Sequence, residues 1–254
     1  IIQCHIQNDQ KKEEVRLEIS NDTHKTTLWK KDITILYDFN AVFIPPKEIL
    51  SIKNIIKYSQ TAKIKDFDDT YLDIVSYIEN PREIDDNERL ILFRDHHKYD
   101  FYNGLVRLID NNGGKRAVFI KNNINYEIDI VAEGIRKLGI FPVLEKAGYL
   151  TKKTILFVDE PENSVHPRAL RELMRFFVDV SKEGVQIFIA SHNQFVVQQL
   201  RNLAKKHKYS IHCYSLLKEK EKIKCVQFDL KDKMAENPIL DEAISMFDES
   251  IEHA

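Results

Sequence analysis

Apolar and polar residues alternate in the first part of the chain and then follow a helical spacing. Residues 13–20 alternate as expected of a half-buried strand, and residues 26–29 are predicted to pair with it after a turn at Asn21-Asp22. Ile44-Pro45-Pro46 ends the strand-like pattern, because proline lacks an N–H group and restricts the residue before it. From Lys47 to about Leu108 the apolar spacing is mostly helical. The pattern predicts a β-rich start followed by a helical region.

The middle of the chain predicts a hairpin and then a helix. Residues 117–120 and 126–130 lie on either side of Asn122-Asn123, an arrangement typical of a β-hairpin. A helix is predicted from about Ala132, and Pro142 is expected to kink or shorten it, because proline cannot donate a hydrogen bond to the preceding turn.

The last third of the chain has the pattern of a βαβ unit. Residues 155–158 form a continuous apolar run, and residues 185–190, VQIFIA, are apolar except for Gln186. Both segments predict strands buried on both faces. Between them, residues 168–181 carry apolar side chains at the spacing of an amphipathic helix, which Gly184 ends. In a strand–helix–strand unit the two strands are parallel and the crossover is right-handed. The fold class predicted from the whole pattern is α/β.

Two carboxylates and an imidazole stand where these two strands end. Asp159 and Glu160 follow the first strand, and Ser191-His192 follow the second. Because the carboxyl ends of parallel strands lie at one edge of a sheet, these side chains are expected to meet there. A carboxylate at this edge suits a hydrated Mg²⁺, a second can deprotonate an attacking water, and a histidine can stabilise charge on a phosphate.

Composition and charge narrow the classes of function. The 254 residues are 43% apolar and 31% charged, which is enough for a large hydrophobic core. The net charge is −2, so no overall positive charge favours binding to nucleic acid. No apolar run approaches the roughly 20 residues that span a membrane. The three cysteines show no metal-binding spacing and are interpreted as reduced thiols of a cytoplasmic protein.

Four segments, taken together, resemble a family of ATPases. Residues 155–167, ILFVDEPENSVHP, are similar to the Walker B strand and D-loop of ATP-binding-cassette (ABC) ATPases of the RecF/SMC-like branch, and residues 189–193, IASHN, to their switch-histidine segment. VAEGIRKLGIF (131–141) resembles the signature segment of small AAA-like ATPases related to the overcoming-lysogenization-defect ATPases, and NAVFIPPKEILS (40–51) is similar to another motif of that group. The resemblance implies a P-loop NTPase-like ABC ATPase core with a parallel sheet, a β-rich edge and a helical subdomain.

The resemblance implies a role for each matching residue. Asp159 would position Mg²⁺, Glu160 would be the general base, and His192 would contact the γ-phosphate of ATP. The signature helix would face the nucleotide of a second subunit with Ala132, Glu133, Gly134, Arg136 and Lys137. The D-loop would lie across the same interface with Asn163, Ser164 and His166. A solvated helix face is the alternative for Arg136 and Lys137, and entry into the following helix is the alternative for His166.

The chain departs from the resemblance at the signature segment and at the P-loop. Ala132 replaces the usual signature serine and Glu133 the neighbouring glycine, which removes a hydroxyl contact to phosphate. No segment has the P-loop pattern G-x-x-x-x-G-K-[ST]. The chain opens with Ile1 and its first methionine is Met174, so the phosphate-binding segment is expected to precede Ile1. A degenerate ATPase that does not bind ATP by itself is the alternative.

The resemblance also implies an organisation and an activity. Residues 1–44 would complete the β-rich part of the nucleotide lobe, residues 45–115 would form a mainly helical subdomain, and residues 116–254 would carry the signature, Walker B and switch-histidine lobe. Two subunits would sandwich two ATP–Mg²⁺, in a homodimer or higher oligomer that acts as a switch for a separate effector protein. Phage defence or a toxin–antitoxin system is the expected setting. A DNA-repair-type ATPase that binds DNA and a non-hydrolysing scaffold are the alternatives.

Overall fold

The computed structural model of the chain describes residues 2–8, 11–19, 26–29, 39–62, 67–93, 99, 101–111, 114–219, 222–232 and 238–252. These residues fall into two compact units, residues 1–40 and residues 41–254. The predicted turn at Asn21-Asp22 lies outside the described residues. The expected division at residues 44 and 115 stays a prediction.

The first unit contains an antiparallel sheet of three strands in the order β1-β2-β3. These strands are β1 (Ile2–Asn8), β2 (Lys11–Ile19) and β3 (Thr26–Trp29). Arg16 pairs with Trp29 and Ile19 with Thr26, so the predicted pairing of residues 13–20 with residues 26–29 is confirmed.

The rest of the chain alternates helices with short sheets. Its strands are β4 (Asn40–Ile44), β5 (Leu105–Asn111), β6 (Gly114–Lys121), β7 (Ile124–Glu127), β8 (Thr154–Asp159), β9 (Gln186–Ala190), β10 (His212–Glu219) and β11 (Lys222–Asp229). Its α-helices are α1 (Lys53–Thr61), α2 (Asp69–Glu79), α3 (Glu133–Leu138), α4 (Ile140–Lys146), α5 (Pro167–Lys182), α6 (Gln194–His207) and α7 (Pro238–Glu252). A 3-10 turn at Ile128–Ile130 precedes α3. The fold is α/β, as predicted.

A sheet in the order β4-β8-β9 carries the two strands that the sequence places in a βαβ unit. β8 and β9 are parallel, with Leu156 opposite Ile187 and Asp159 opposite Ala190. The helix between them, α5, buries Leu170, Leu173, Met174, Phe177 and Val178, the apolar stripe read from the sequence. The predicted unit is confirmed, and it brings the ends of β8 and β9 side by side.

The prediction that both strands are buried on both faces is wrong. In β8, Leu156 and Val158 are buried, whereas Phe157 is 36% exposed; in β9, Phe188 is 47% exposed. Phe157 and Phe188 stack on each other on this open face, with ring centroids 5.0 Å apart. Because successive side chains of a strand point to opposite faces, an apolar run predicts a strand without showing which faces are covered.

The helical spacing read from Lys47 to Leu108 is confirmed only for α1 and α2. None of the described residues between Asn80 and Gly104 is helical. In this stretch Arg89 forms an isolated bridge with Thr151, and a turn at residues 86–88 precedes it. The segment instead packs Leu90 and Leu92 into the core, where both are nearly fully buried.

The predicted hairpin and the helix predicted from about Ala132 are present. Asn122 and Asn123 adopt positive φ values of 51° and 61° between β6 and β7, as a tight hairpin turn requires. α3 begins at Glu133 but is only six residues long, and α4 begins after Gly139. Pro142 lies in the first turn of α4, where its missing N–H group has no intrahelical partner to lose. The helix that begins at Glu133 is thus shorter than the apolar pattern suggested, as expected, and it ends before Gly139.

Candidate functional site

The turn after β8 holds Glu160 in an unusual backbone conformation. Its φ is 43°, in the left-handed region that residues with a Cβ atom rarely adopt. The Glu160 N–H donates to Ala190 O at 2.9 Å, which extends the pairing of β8 with β9 by one residue. The Glu160 carbonyl accepts hydrogen bonds from Asn163 N at 3.2 Å and from Lys137 Nζ at 2.5 Å. Strain of this kind persists where surrounding contacts fix it, and such places are often functional sites.

The carboxylate of Glu160 meets the imidazole of His192, as the sequence predicts. Glu160 Oε1 lies 3.0 Å from His192 Nδ1. Asn163 Nδ2 donates to the other oxygen, Glu160 Oε2, at 2.6 Å. The His192 side chain is 70% exposed and that of Glu160 is 35% exposed, so solvent reaches both. The structure therefore brings the predicted base, the predicted switch histidine and a D-loop residue into one cluster.

Glu162 belongs to the same cluster, although the sequence analysis gave it no role. Its side chain is only 5% exposed. Glu162 Oε1 accepts hydrogen bonds from Ser191 Oγ at 2.8 Å and from His192 N at 3.2 Å. The only hint in the sequence was that Glu162 is a third acidic residue, two positions beyond Glu160, in the loop that leads from β8 to α5.

Lys137 is buried within the chain, which contradicts the prediction that it contacts a phosphate. Only 4% of the residue is exposed. Its ammonium donates to Glu160 O, and also to Pro46 O at 2.8 Å. Burial lowers the pKa of Lys137, and the nearby carboxylates of Glu162 and Glu133 oppose that shift. Lys137 thus ties α3 to the turn that carries Glu160, and a solvated helix face is excluded for it as well.

The other residues at the start of α3 are placed differently from Lys137. Ala132 and Glu133 are exposed where the helix begins. Arg136 is partly buried, and its Nε lies 3.4 Å from Glu48 Oε1. Glu48 also accepts a hydrogen bond from Ser51 N at 3.2 Å. The acidic residue of the 40–51 motif thus contacts both its own loop and Arg136 of α3. A contact of Ala132, Glu133 or Arg136 with a nucleotide stays a prediction.

Gly134 packs directly against the D-loop. A Cβ atom at this position would lie 2.6 Å from Ser164 O and 2.6 Å from the Tyr102 hydroxyl oxygen. Ser164 itself has a positive φ of 61°. His166 follows as the N-cap of α5, and its Nδ1 accepts a hydrogen bond from Arg168 N at 3.2 Å. This contact supports the helix-entry role for His166.

We expect Gly134→Ala to destabilise the protein and displace the D-loop, because the added methyl group has no room. Overpacking of this kind costs about 1–3 kcal/mol of unfolding free energy. Gly114→Ala is the control, since among the described residues its Cβ would meet nothing closer than Asn111 O at 4.0 Å. Urea denaturation of both variants measures the difference, and equal stabilities would contradict the close packing of α3 on the D-loop.

Asp159, at the end of β8, is suited to a hydrated cation. The residue is half-buried, and no hydrogen bond or ion pair within the described part of the chain engages its carboxylate. Among those same residues, no group of three or more histidine, cysteine, aspartate or glutamate side chains has the arrangement of a metal site. Mg²⁺ commonly takes one or two carboxylates and keeps several waters, so a single free carboxylate fits this ion.

The family of the chain follows from comparison with known domains. Residues 5–198, about three quarters of the 254 residues, match the family described as "AAA domain, putative AbiEii toxin, Type IV TA system". The chain belongs to this family. It therefore contains an AAA domain, and ATP is the nucleotide that this class of domain binds. No curated protein matches the chain at a significant level.

Solved structures of SMC proteins are similar to this chain at low sequence identity. A structure described as "Structural biochemistry of ATP-driven dimerization and DNA stimulated activation of SMC ATPases" is 12% identical, over 78% of this chain and 96% of that one, with a TM-score of 0.41. An SMC head bound to the C-winged helix domain of ScpA is 12% identical, over 88% and 70%, with a TM-score of 0.48. The Pyrococcus furiosus SMC head with an extended coiled coil is 12% identical, over 78% and 43%, with a TM-score of 0.39. This AAA domain thus spans less than half of that last chain.

No helix among the described residues of the AAA domain has the length and apolar character needed to cross a membrane.

Proposed function

We propose that this AAA domain hydrolyses ATP with Mg²⁺ in a head-to-tail dimer. The observation that carries the proposal is the meeting of Glu160 and His192, 3.0 Å apart. They follow two parallel strands at their carboxyl ends, the usual position of a ligand in an open α/β sheet. Asp159 is the last residue of the first of these strands, and no hydrogen bond or ion pair among the described residues engages its carboxylate.

Each of these residues has a defined part in the proposed reaction. Bound Mg²⁺ would supply a Lewis acid at the phosphate oxygens. Asp159 would hold that ion, directly or through its waters. Glu160 would accept a proton from the attacking water at one of its carboxylate oxygens, and His192 would donate a hydrogen bond from its imidazole toward phosphate. Asn163 would orient the base, because its amide donates to Glu160 Oε2 at 2.6 Å.

The proposed second subunit would complete the site with the start of α3 and with the D-loop. Ala132 and Glu133 are exposed there, and Gly134 brings the helix against Ser164 of the D-loop. Because they are in contact, a movement of the start of α3 would displace the D-loop of the same subunit, and the reverse. Such a coupling suits a domain whose dimer closes and opens, so that hydrolysis acts as a switch.

The proposal includes the biological setting. The description of the matching family names the AbiEii toxin and a type IV toxin–antitoxin system. We infer that this AAA domain belongs to the bacterial group related to the overcoming-lysogenization-defect ATPases and controls a separate effector protein in phage defence or a toxin–antitoxin system. Loss of the protective or toxic phenotype in cells that carry an inactive domain would support this setting, and an unchanged phenotype would exclude it.

We expect Asp159→Asn to raise the Mg²⁺ concentration needed for half-maximal ATP turnover by about 10- to 100-fold, the range typical of weakened metal sites. The loss of the negative charge weakens the hold on the cation, while the amide keeps the shape of the side chain. Turnover of the natural polypeptide is measured in a Mg²⁺ titration beside Asp73→Asn, which changes an exposed carboxylate on α2. The same Mg²⁺ dependence in all three proteins would remove Asp159 from the metal site.

A further inference from the structure

Glu162 connects the loop after β8 to the loop after β9. One of its oxygens, Oε1, accepts from Ser191 Oγ and from the main-chain N–H group of His192 at 2.8 Å and 3.2 Å. The same oxygen lies 3.7 Å from His192 Nδ1. Its other oxygen, Oε2, is buried without a hydrogen-bond partner among the described residues. The single carboxylate therefore holds both the main chain and the side chains of the Ser191-His192 turn.

Packing alone does not hold the ring of His192 in place. The side chain is 70% exposed, so few contacts restrict its rotation. Its direction depends on where the main chain of residue 192 lies and on the carboxylates that face Nδ1. Asn193 adds one further tie, since its N–H donates to Ser191 Oγ at 3.1 Å. Glu162 thus stands at the centre of the hydrogen bonds that orient this turn.

The burial of Glu162 removes hydration from its carboxylate. The side chain is 5% exposed, and among the described residues its Oε2 has no hydrogen-bond partner, so the two hydrogen bonds to Oε1 replace that hydration only in part. The nearby ammonium of Lys137 is a buried opposite charge, so Glu162 also contributes to the electrostatics of the core. Neither effect requires that Oε1 accept from both Ser191 and His192, and that arrangement points to a positioning role.

We propose that Glu162 is the positioning residue of this site, which holds the Ser191-His192 turn so that the imidazole of His192 reaches Glu160. The expected effect on rate rests on the proposed ATP hydrolysis. The expected effect on the orientation of the His192 ring does not depend on nucleotide. Loss of the Glu162 carboxylate frees the turn, and His192 then samples several directions. Misplacement of a catalytic group by about 1 Å is enough to cost on the order of 100-fold in rate.

The test compares Glu162→Leu with Glu162→Gln. Glutamine keeps a side-chain oxygen that accepts from Ser191 and from His192 N, whereas leucine keeps only the volume. Glu172→Leu is the control, because Glu172 lies on α5 away from this site, with a side chain that is 40% exposed and paired with Arg175. Each variant of the natural polypeptide is measured for kcat and KM with ATP, for Tm, and for the ring signals of ¹³C-labelled histidine without nucleotide.

We expect Glu162→Leu to lower kcat by about 10- to 100-fold, with a small change in KM. The Tm is expected to fall as well, because leucine removes a carboxylate that lies near the buried ammonium of Lys137. The His192 ring signal, assigned with His192→Gln, should broaden or shift in Glu162→Leu, and Glu162→Gln should recover most of both effects. A lower Tm with an unmoved His192 signal would show a structural role only and overturn the proposal. If neither wild type nor any variant hydrolyses ATP, the proposed function fails, and the histidine signal alone still decides the positioning role.

Discussion

Glu160→Gln is expected to lower ATP turnover by about 10²- to 10⁴-fold while leaving ATP binding in place, because a general base contributes this much to rate. Glutamine has the shape of glutamate, and its amide oxygen and nitrogen can still pair with Asn163 and His192. The variant therefore removes the basicity of the side chain and little else. Because hydrolysis opens the proposed dimer, the variant is also expected to accumulate as an ATP-bound dimer.

Single-turnover hydrolysis, equilibrium ATP binding and light scattering with ATP separate these effects. Glu172→Gln serves as the control, since it makes the same chemical change at a partly exposed side chain of α5 that pairs with Arg175. Normal turnover in Glu160→Gln would remove Glu160 as the base. A variant that no longer binds ATP would show instead that the residue acts in nucleotide binding.

Phe176→Ala is expected to lower the free energy of unfolding by about 3–5 kcal/mol, a large part of the 5–15 kcal/mol typical of a whole domain. Phe176 is fully buried. Its ring centroid lies 5.1 Å from that of Tyr99, 5.2 Å from that of Phe141 and 5.6 Å from that of Phe177. Truncation at this position leaves a cavity and removes several aromatic contacts at once.

Phe247→Ala provides the comparison, because Phe247 on α7 is 64% exposed. Its truncation is expected to change stability by less than about 1 kcal/mol, as is usual for surface positions. Urea denaturation followed by circular dichroism gives both values. Similar losses in the two variants would mean that the aromatic cluster around Phe176 is not the core of residues 41–254.

The sequence predicted those parts of the fold that depend on neighbouring residues or on strand topology. The stripe on α5 follows from helical periodicity, and the turn at Asn122-Asn123 follows from residues that tolerate positive φ. The meeting of Glu160 and His192 follows from a topological rule, since parallel strands end at the same edge. None of these inferences required knowledge of side-chain packing.

The parts that the sequence did not predict depend on contacts between distant segments. Lys137 lies on a short helix with polar neighbours, and only the approach of Pro46 and Glu160 makes it a buried cation. Glu162 reads as one acidic residue of a loop until Ser191 and His192 are seen to donate to it. Local sequence cannot supply such contacts, because the partners are 23 to 91 residues apart along the chain.

Lys137 and Glu162, which the sequence did not predict as buried contacts, show how the main chain around the site is held in place. Lys137 fixes the main chain of Glu160 from the side of α3, and Glu162 fixes the main chain of His192 from the side of the D-loop. The two predicted catalytic side chains are thus oriented by buried charged groups that are themselves shielded from solvent. Preorganisation of this kind is what an enzyme requires of the groups behind its reacting residues.

The most direct test of the central claim is ATP turnover by the natural polypeptide with Mg²⁺ across a range of protein concentrations. A site shared between two subunits predicts that activity per molecule rises with concentration and reaches a plateau when the dimer is fully formed. Activity per molecule that is constant at all concentrations would contradict the shared site. The absence of both ATP binding and turnover at every concentration would contradict the ATPase itself and leave a non-hydrolysing scaffold.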